Sequence, residues 1–413
     1  MEIIDTIRLS VAAYADTIIW VVIGILSFMF LVIIHELWHF LTAKKAWVKV
    51  LEFGVWIPPK AMTLWTDASW TEYTLNWIPL GGFVRLKGED PADTEDFNAP
   101  DSFISAKLYR KIIILLGGIF VNLVFAWLVL TWLFATGTQP FMVIPQSHPA
   151  AELNSYLIPT VQKLAKEWLY TPTNEVTILE VASWSLASKA WFVSWDIITR
   201  IDSTPVNSVT LTDVLQQKVW QSFEVWYTHN NQPTTTTIVC PEDTCVLWVA
   251  IDIPSLREVS IQFPLTQAAW VAFDEMITQA RLSFEVLGKF GKSIVTFNRK
   301  WLNESVQNFS WPIWAMRIFV DLTDRDNIDQ FFMFVALISL ALWVFNLLPI
   351  PALDWWRLLW VLIQTIFRLP KEKYFIIEWY INAVFFFLLI GLWLFIAARD
   401  LSRFWGVVIP FIG

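Results

Sequence analysis

Four long apolar windows recur along the chain. They run from about Thr17 to Ile34, Ile112 to Thr136, Phe331 to Leu353 and Phe375 to Ala398. A membrane-spanning helix needs about 20 mostly apolar residues, and each window reaches or approaches that length. The pattern predicts a polytopic α-helical membrane protein with about four transmembrane helices. We expect the first window to be retained, because it lacks the basic start and small-residue cleavage site of a signal peptide.

Lysine and arginine are distributed unevenly between the loops. They are frequent after the first and third windows, whereas the segment before the first window has only Arg8. Cytoplasmic loops carry the excess of Lys and Arg, so both basic loops are predicted to face the cytoplasm. Both termini and the long segment from about Gly137 to Gln330 are then predicted to face outward.

The outward segment contains short β-type runs between about Val176 and Pro254. They read VTILEV, DIITRID, FEVWYTH, TTTTIV and VLWVAID, with polar turns between them and a short helix expected over Leu211 to Val219. This pattern predicts a small β-rich module. Beyond it, apolar residues at helical spacing from about Leu265 to Thr296 predict an amphipathic linker helix.

Cys240 and Cys245 are the only cysteines in the sequence. They flank the residues PEDT between two strand-like runs. In an oxidising compartment they could close a hairpin disulfide, and two free thiols are the alternative.

Composition and charge narrow the class of protein. Hydrophobic residues make up 56% of the chain and charged residues 16%. Soluble domains average about 25% charged residues, so a chain that is soluble throughout is excluded, as are coiled coils and disordered proteins. The net charge of −8 argues against nucleic acid as a partner.

The first window ends in the sequence HELWH, which fits the pattern HExxH. His35 and His39 are four residues apart, so on a helix both face one Zn²⁺ ion. Glu36 is not needed as a ligand and can accept a proton from water beside the metal. The alternatives are a polar helix end that pairs with lipid headgroups and a metal site without catalysis.

Asp354 is the candidate third ligand. A catalytic zinc has three protein ligands and one open position. The first and third windows run in the same direction across the membrane, so Asp354 ends the third at the depth where the histidines end the first. An ordinary ion pair between Asp354 and Arg357 is the alternative.

Pro349 and Pro351 precede Asp354 and break the third apolar helix. The backbone groups that they free are tolerated at membrane depth only inside protein or beside a wet cavity. Asn346 could hydrogen-bond to those groups or to an extended substrate. The alternative is a plain kink at a helix end.

These motifs resemble the site-2 protease family of intramembrane zinc metalloproteases. The resemblance rests on HELWHF and NLLPIPALD, on YTLNWIPLGGFVRLKGED (Tyr73 to Asp90), which is similar to the family's membrane-associated β-hairpin region, and on GGIFVNLVFA (Gly117 to Ala126), which is similar to its second span. The outward β-rich module resembles a PDZ domain. The architecture is similar to bacterial regulators that cleave membrane-bound anti-sigma factors and remnant signal peptides.

The resemblance implies a role for each site residue. His35, His39 and Asp354 match the zinc ligands, and Glu36 matches the catalytic base. Substrate binding is implied for Asn346, Pro349, Pro351, Gly81 and Gly82, and the hairpin around Thr71 to Leu86 would pair with an unwound substrate as an added strand. The implied partners are the lipid bilayer and single-pass membrane proteins, either anti-sigma-factor-like proteins or remnant signal peptides.

The predicted organisation combines the apolar windows with this resemblance. In the first third of the chain it places the first transmembrane helix in residues 1–41, a cytoplasmic-side loop with a membrane-associated β-hairpin in 42–111 and the second transmembrane helix in 112–136. The outward part comprises an unassigned extracytoplasmic segment in 137–175, an extracytoplasmic PDZ-like domain in 176–255 and amphipathic linker helices in 256–330. The third transmembrane segment follows in 331–363, and the fourth transmembrane helix with a tail in 364–413. The implied location is the cell inner membrane, with the active site near the cytoplasmic side.

Tryptophan stands at many positions where the resembled patterns have glycine. The chain has 27 Trp and 13 Gly. The positions concerned are Trp38, Trp355 and Trp356 beside the metal motifs, Trp184, Trp191 and Trp195 in the PDZ-like stretch, and Trp311 and Trp314 after it. Glycine codons that were misread, a deliberate redesign and a divergent natural member all remain open as explanations.

Two functions of different classes are considered. The first is regulated hydrolysis of peptide bonds in transmembrane segments, and the second is a non-catalytic scaffold that binds client tails through the PDZ-like domain. The retained His35, Glu36, His39 and Asp354 favour the enzyme, whereas Trp beside them favours the scaffold. A transporter finds little support, since no inverted repeat is present.

Overall fold

The structure is a computed structural model in which two compact units are distinguished. It describes residues 2–89, 98–141, 143–144, 149–167, 169, 175–181, 185–240, 245, 247, 249–252, 259–296 and 328–404. The first unit comprises Met1–Leu130 with Ala280–Gly413, and the second comprises Thr131–Gln279. Trp184, Trp311 and Trp314 lie outside the described residues.

Long apolar helices dominate the first unit. They are α1 (Glu2–Lys45), α2 (Leu108–Thr136), α7 (Ile328–Asn346) and α9 (Lys371–Phe404), with the shorter amphipathic α8 (Asp354–Ile366) between the last two. Among the described residues, four helical segments are long and apolar enough to span a membrane, namely Val22–Lys45, Leu108–Thr136, Ile328–Asn346 and Lys373–Leu392. The four apolar windows are therefore confirmed as candidate spans.

The third span ends earlier than its apolar window. α7 stops at Asn346, whereas the window continues to Leu353. Pro349 and Pro351 lie in the turn that follows, and proline cannot continue an α-helix because it lacks the backbone N–H. A new helix, α8, then begins at Asp354.

A sheet of two long, bent strands follows α1. The strands are β1 (Val50–Thr66) and β2 (Glu72–Leu86), which run antiparallel. Glu52, near the start of β1, pairs with Arg85 on one side and with Glu72 on the other, so the two ends of β2 flank the start of β1. Residues 82–86 of β2 thereby form one edge of the sheet, while residues 52–55 lie inside it.

The second unit contains a six-stranded antiparallel sheet. Its strands are β3 (Val176–Val181), β4 (Ile197–Ile201), β5 (Thr204–Pro205), β6 (Ser222–His229), β7 (Gln232–Val239) and β8 (Val249–Asp252). The order is β7-β6-β4-β3-β8, with β5 paired to β4. Four of the five predicted strand runs correspond to β3, β4, β6 and β7, and the fifth is a strand over Val249–Asp252, with residues 246 and 248 outside the described residues. β5 is an addition too short to show alternation.

Short helices accompany the sheet. α4 (Leu186–Lys189) and α5 (Leu211–Gln216) follow β3 and β5, and α3 (Val161–Lys166) precedes the sheet. Ile178, Ile198 and Ile201 are fully buried in the core, where apolar side chains alternate along the strands. The predicted short helix is α5, and the predicted linker helix is α6 (Leu265–Val295).

Cys240 and Cys245 are joined by a disulfide bond. Cys240 follows β7 directly, and Cys245 lies between β7 and β8. Both cysteines are buried in the core of the sheet. The hairpin disulfide is therefore the arrangement that the structure contains.

Candidate metal centre

Two imidazoles project from one face of α1. His35 and His39 are one helical turn apart and only 7% and 8% exposed. Their Nε2 atoms are 3.2 Å apart, so both rings direct the same nitrogen at one point. The HExxH spacing is helical, as the sequence predicted.

Asp354 brings the third ligand atom from the first turn of α8. Its Oδ2 is 3.0 Å from His35 Nε2 and 3.3 Å from His39 Nε2. Ligand atoms about 2.0–2.1 Å from a tetrahedral zinc are about 3.3 Å from one another, which matches all three separations. Asp354 Oδ2 is buried without a hydrogen-bond partner among the described residues. The donor set therefore fits a zinc ion.

The outer nitrogens of both rings contact α2. His39 Nδ1 lies 2.8 Å from the Ile114 carbonyl oxygen, to which it donates when its proton is on Nδ1. His35 Nδ1 lies 3.1 Å from Asn122 Nδ2, the nitrogen of the side-chain amide. A proton on Nδ1 leaves Nε2 free to bind a metal. The Ile114 carbonyl can accept that proton from His39, and the Asn122 amide can accept it from His35 once its oxygen and nitrogen are exchanged.

Gly118 lets α2 approach the two imidazoles. A Cβ atom at this position would lie 2.4 Å from His39 Nε2 and 2.7 Å from His35 Nε2. Real Cβ atoms do not approach other atoms so closely, and any side chain would fill the space beside the ligand nitrogens. Gly117, its neighbour, faces Thr42 and the Trp38 carbonyl instead.

Glu36 lies beside the ligands without being one of them. Its carboxylate interacts electrostatically with His39, His35 and Asp354. The Glu36 side chain also adjoins Gly82, since a Cβ atom on Gly82 would be 3.7 Å from Glu36 Cγ. A carboxylate in this place can take a proton from water at the metal and face an extended chain at the edge of the sheet.

The other predicted site residues divide into two groups. Gly81 and Gly82 lie in β2, and the structure brings Gly82 to Glu36. Asn346 ends α7, and Pro349 and Pro351 form the turn that leads to Asp354. Within the described residues, these three are not part of the metal-ligand group. Their predicted contact with substrate stays a prediction.

Arg357 does not form the ion pair that was the alternative for Asp354. Arg357 Nη2 is 2.6 Å from Glu89 Oε1, and Arg357 Nε is 3.8 Å from Glu378 Oε1. The guanidinium thus binds α8 to the segment after β2 and to α9. The Asp354 carboxylate is left for the two histidines.

Two asparagines in the apolar helices contact the site and were missed from the sequence. Asn122 on α2 contacts His35, and Asn382 on α9 accepts a hydrogen bond of 3.0 Å from the Ala352 backbone N–H, two residues before Asp354. An uncharged polar residue within an apolar window was the available signal.

Comparisons with known proteins agree on one family. The family model described as "Peptidase family M50" matches residues 23–390. The chain is 25% identical over 448 residues to the "Regulator of sigma-E protease RseP" of Escherichia coli K12, covering 90% of this chain and 96% of that protein. It is 26% identical over 388 residues to the "Putative zinc metalloprotease CPE1693" of Clostridium perfringens, covering 92% and 98%.

Proposed function

The chain belongs to peptidase family M50, and on this premise we propose that it hydrolyses peptide bonds within transmembrane segments of other membrane proteins. It is a multi-pass membrane zinc metalloendopeptidase of the site-2 protease family. The observation that carries the proposal is the position of the metal ligands. His35 and His39 lie in a helical segment apolar enough to span a membrane, so the peptide bond that meets them must be at membrane depth.

The proposed mechanism uses one general base. When bound, zinc supplies Lewis acidity that acidifies a water molecule and polarises the scissile carbonyl. Glu36 accepts the proton of that water and later delivers it to the leaving amine. Gly118 keeps side chains out of the space beside the ligand nitrogens. His35, His39 and Asp354 hold the ion and take no part in proton transfer.

We assign substrate binding to the sheet edge at residues 82–86. A transmembrane helix must unwind before its peptide bonds become accessible, and an extended segment can then add to a sheet edge through backbone hydrogen bonds. The contact between Gly82 and Glu36 supports this assignment, because it brings that edge to the catalytic base. Asn346, Pro349 and Pro351 would contact the substrate from the turn before Asp354.

The six-stranded sheet of the second unit is proposed to be a PDZ-like domain outside the cytoplasm. The buried disulfide between Cys240 and Cys245 supports an oxidising location, since cytoplasmic thiols are kept reduced. The Lys and Arg of the loops after the first and third spans support the same orientation. The proposed location is the cell inner membrane, with both termini outside and the metal site near the cytoplasmic side.

The proposed substrates are single-pass membrane proteins, either anti-sigma-factor-like proteins or remnant signal peptides. The bilayer is the medium in which they meet the enzyme, and nucleic acid is not a partner. The non-catalytic scaffold is disfavoured because the ligand geometry suits a metal and Glu36 is in place beside it.

The test reconstitutes the purified chain in lipid vesicles with a single-pass model substrate. We expect one zinc per chain and cleavage within the transmembrane segment, located by mass spectrometry of the products. Glu36→Gln should retain zinc and lose cleavage, whereas His35→Ala should lose both. Thr131→Val, which alters α2 away from the ligands, is the control. Cleavage by Glu36→Gln at the wild-type rate, or products cut only outside the membrane segment, would refute the proposal.

A further inference from the structure

Asn122 is held in place by a third helix. It is only 1% exposed, and its backbone carbonyl accepts a hydrogen bond of 2.9 Å from Ser339 Oγ on α7. The nitrogen of its side-chain amide, Nδ2, lies 3.1 Å from His35 Nδ1. A metal ligand on α1 is therefore connected to α7 through a single residue of α2.

Asn122 can provide the hydrogen-bond acceptor that the His35 ring needs when it binds a metal. A neutral imidazole that binds metal through Nε2 carries its proton on Nδ1 and needs an acceptor there. The structure places Asn122 Nδ2 at His35 Nδ1 and leaves Asn122 Oδ1 without a hydrogen-bond partner among the described residues. A half-turn of the amide exchanges these two atoms and lets Oδ1 accept the Nδ1 proton, because amide oxygen and nitrogen are told apart only by their hydrogen-bond partners. His39 has a backbone acceptor, the Ile114 carbonyl, so Asn122 is the ring partner that a substitution can remove.

Asn382 acts on the third ligand through the backbone. The helical structure is interrupted between α7 and α8. Within this turn Ala352 has a φ of 78°, which residues other than glycine rarely adopt. The Ala352 N–H donates to Asn382 Oδ1 at 3.0 Å. Without that acceptor the N–H would be unsatisfied in a region where lipid offers no replacement. Asp354 begins α8 two residues later, so its position depends on this turn.

We propose that Asn122 and Asn382 are positioning residues of the metal centre, one for the His35 ring and the other for the turn that presents Asp354. This rests on the zinc site of the proposed function but not on its substrate. Outer partners of metal ligands raise metal affinity by roughly 10–100-fold, and we expect losses of that size when either is removed.

Zinc affinity tests the Asn122 role. The dissociation constant is measured on the full chain by competition with a chromophoric chelator. Asn122→Leu should weaken binding roughly 10–100-fold, whereas Asn122→Asp keeps an acceptor for Nδ1–H and should stay near the wild-type value. Thr131→Val is the matched control on α2, because its buried hydroxyl has no hydrogen-bond partner among the described residues. Equal affinities in Asn122→Leu and wild type would overturn the role.

The Asn382 role is tested in the same assay with a spectroscopic readout. Asn382→Leu should weaken zinc binding and shift the visible bands of the cobalt-substituted protein, which report ligand geometry. Tyr380→Phe, an exposed change on the same helix, should do neither. Thermal unfolding of the metal-free proteins separates the alternatives. If a variant loses as much stability without metal as with it, the residue is structural and the proposal fails, whether or not peptide cleavage survives.

A second inference rests on a different observation, the backbone angles of tryptophan. Twelve described residues other than glycine have positive φ, and six of them are Trp47, Trp56, Trp70, Trp191, Trp195 and Trp220. Four of the others are Asn or Asp, which tolerate this region. Tryptophan is not among the residues that tolerate this region, so the six tryptophans with positive φ need a separate explanation.

Two of these tryptophans terminate helices where glycine is normally required. After α1, Trp47 N–H donates to the Lys44 carbonyl and Val48 N–H donates to the Ala43 carbonyl. After α4, Trp191 N–H donates to the Ser188 carbonyl and Phe192 N–H donates to the Ala187 carbonyl. Both pairs are the hydrogen bonds of a Schellman motif, whose left-handed residue is usually glycine.

Three others occupy glycine positions of turns. Trp195 and Trp220 are third residues of four-residue turns closed by hydrogen bonds from Asp196 to Val193 and from Gln221 to Lys218. With φ values of 75° and 67°, these are turns of the type that takes glycine there. Trp70, with a φ of 60°, is the last residue of the turn that its N–H closes on the Asp67 carbonyl, and Asp67 N–H donates in turn to the Thr71 carbonyl. This is the left-handed position of a hairpin bulge.

We infer that the natural protein carries glycine at Trp47, Trp70, Trp191, Trp195 and Trp220, because their codon is one that the host decodes as glycine. The exposed side chains fit this inference, since four of them, Trp47, Trp70, Trp191 and Trp195, are at least 70% exposed and their loss would leave no cavity. Peptide mass spectrometry of the chain isolated from its natural host decides the matter. Glycine masses at these five positions are expected, and tryptophan masses would overturn the inference.

Discussion

The backbone of Gly82 lies against the side chain of Glu36. A Cβ atom on Gly82 would be 3.7 Å from Glu36 Cγ and 3.2 Å from the Gly54 carbonyl oxygen. The edge of the sheet and the catalytic base are therefore adjacent, and the space between them is narrow. Any side chain at residue 82 has to enter that space.

Gly82→Leu should lower cleavage of a transmembrane substrate without removing the metal. The branched side chain would separate the substrate strand from Glu36, while His35, His39 and Asp354 keep their positions. We expect at least a 10-fold loss, since misplacement of reacting groups by about 1 Å can cost about 100-fold. Zinc content measured beside the cleavage rate checks the result. A parallel loss of zinc would show that the sheet edge supports the ligands rather than the substrate.

Gly118→Ala should abolish zinc binding. The added methyl group would lie 2.4 Å from His39 Nε2 and 2.6 Å from His35 Cε1, and both rings are buried and cannot move aside freely. Gly117→Ala is the matched control, because its methyl group would meet the Thr42 side chain at 3.1 Å, where a small shift suffices. Metal analysis of the two purified variants makes the comparison. Zinc retained by Gly118→Ala at the wild-type level would contradict the site geometry.

Asp67, in the turn between β1 and β2, should make the stability of the folded chain depend on pH in the acid range. Partial burial raises the pKa of Asp67, but hydrogen bonds from Lys44 Nζ and from the Thr71 and Ser69 N–H groups outweigh it and lower the pKa to about 2. A lowered pKa in the folded state means that the stabilisation is complete above the ordinary Asp pKa and disappears as pH falls through about 2. Asp67→Asn should therefore lower the thermal unfolding temperature at neutral pH. The difference from wild type should shrink below about pH 4. A constant difference from pH 6 to pH 2 would contradict this account.

Replacing tryptophan by glycine at left-handed positions should stabilise the chain. A side chain in this region costs roughly 1–2 kcal/mol per residue, so Trp191→Gly and Trp195→Gly should each raise the free energy of unfolding by about that amount. Trp226→Gly is the control and should lower it, because Trp226 lies in β6 and the Arg200 guanidinium stacks 3.8 Å from its ring. Denaturant unfolding of the three variants provides the measurement. Destabilisation by Trp191→Gly would show that its side chain has a structural role.

The metal ligands could be predicted from the sequence because their signals are local. His35 and His39 follow the helical period, and Asp354 stands after two prolines that stop the preceding helix. The strands of the second unit could be predicted for a similar reason, since apolar residues alternate within each run. The structure brings the candidate ligand atoms of His35, His39 and Asp354 within 4.8 Å of one another.

The remaining features depend on contacts between distant segments. The double pairing of Glu52 with Arg85 and Glu72 requires both strands to bend, and no alternation of residue types records that bend. Asn382 is one polar residue in an apolar helix, and only the folded chain shows that it receives the Ala352 N–H. The early end of α7 was signalled by Pro349 and Pro351, but hydropathy alone extended the span past them.

The ligand set is divided between the two ends of the polypeptide. His35 and His39 are synthesised early, and Asp354 follows only after the whole of the second unit has been made. The helix that carries Ser339, which anchors Asn122, is also late. A ribosome-bound chain therefore has both imidazoles but no third ligand for most of its synthesis. A chain that ends before Asp354 lacks the third ligand atom, so the site can hold zinc with its full ligand set only after the segment beyond the second unit has been added.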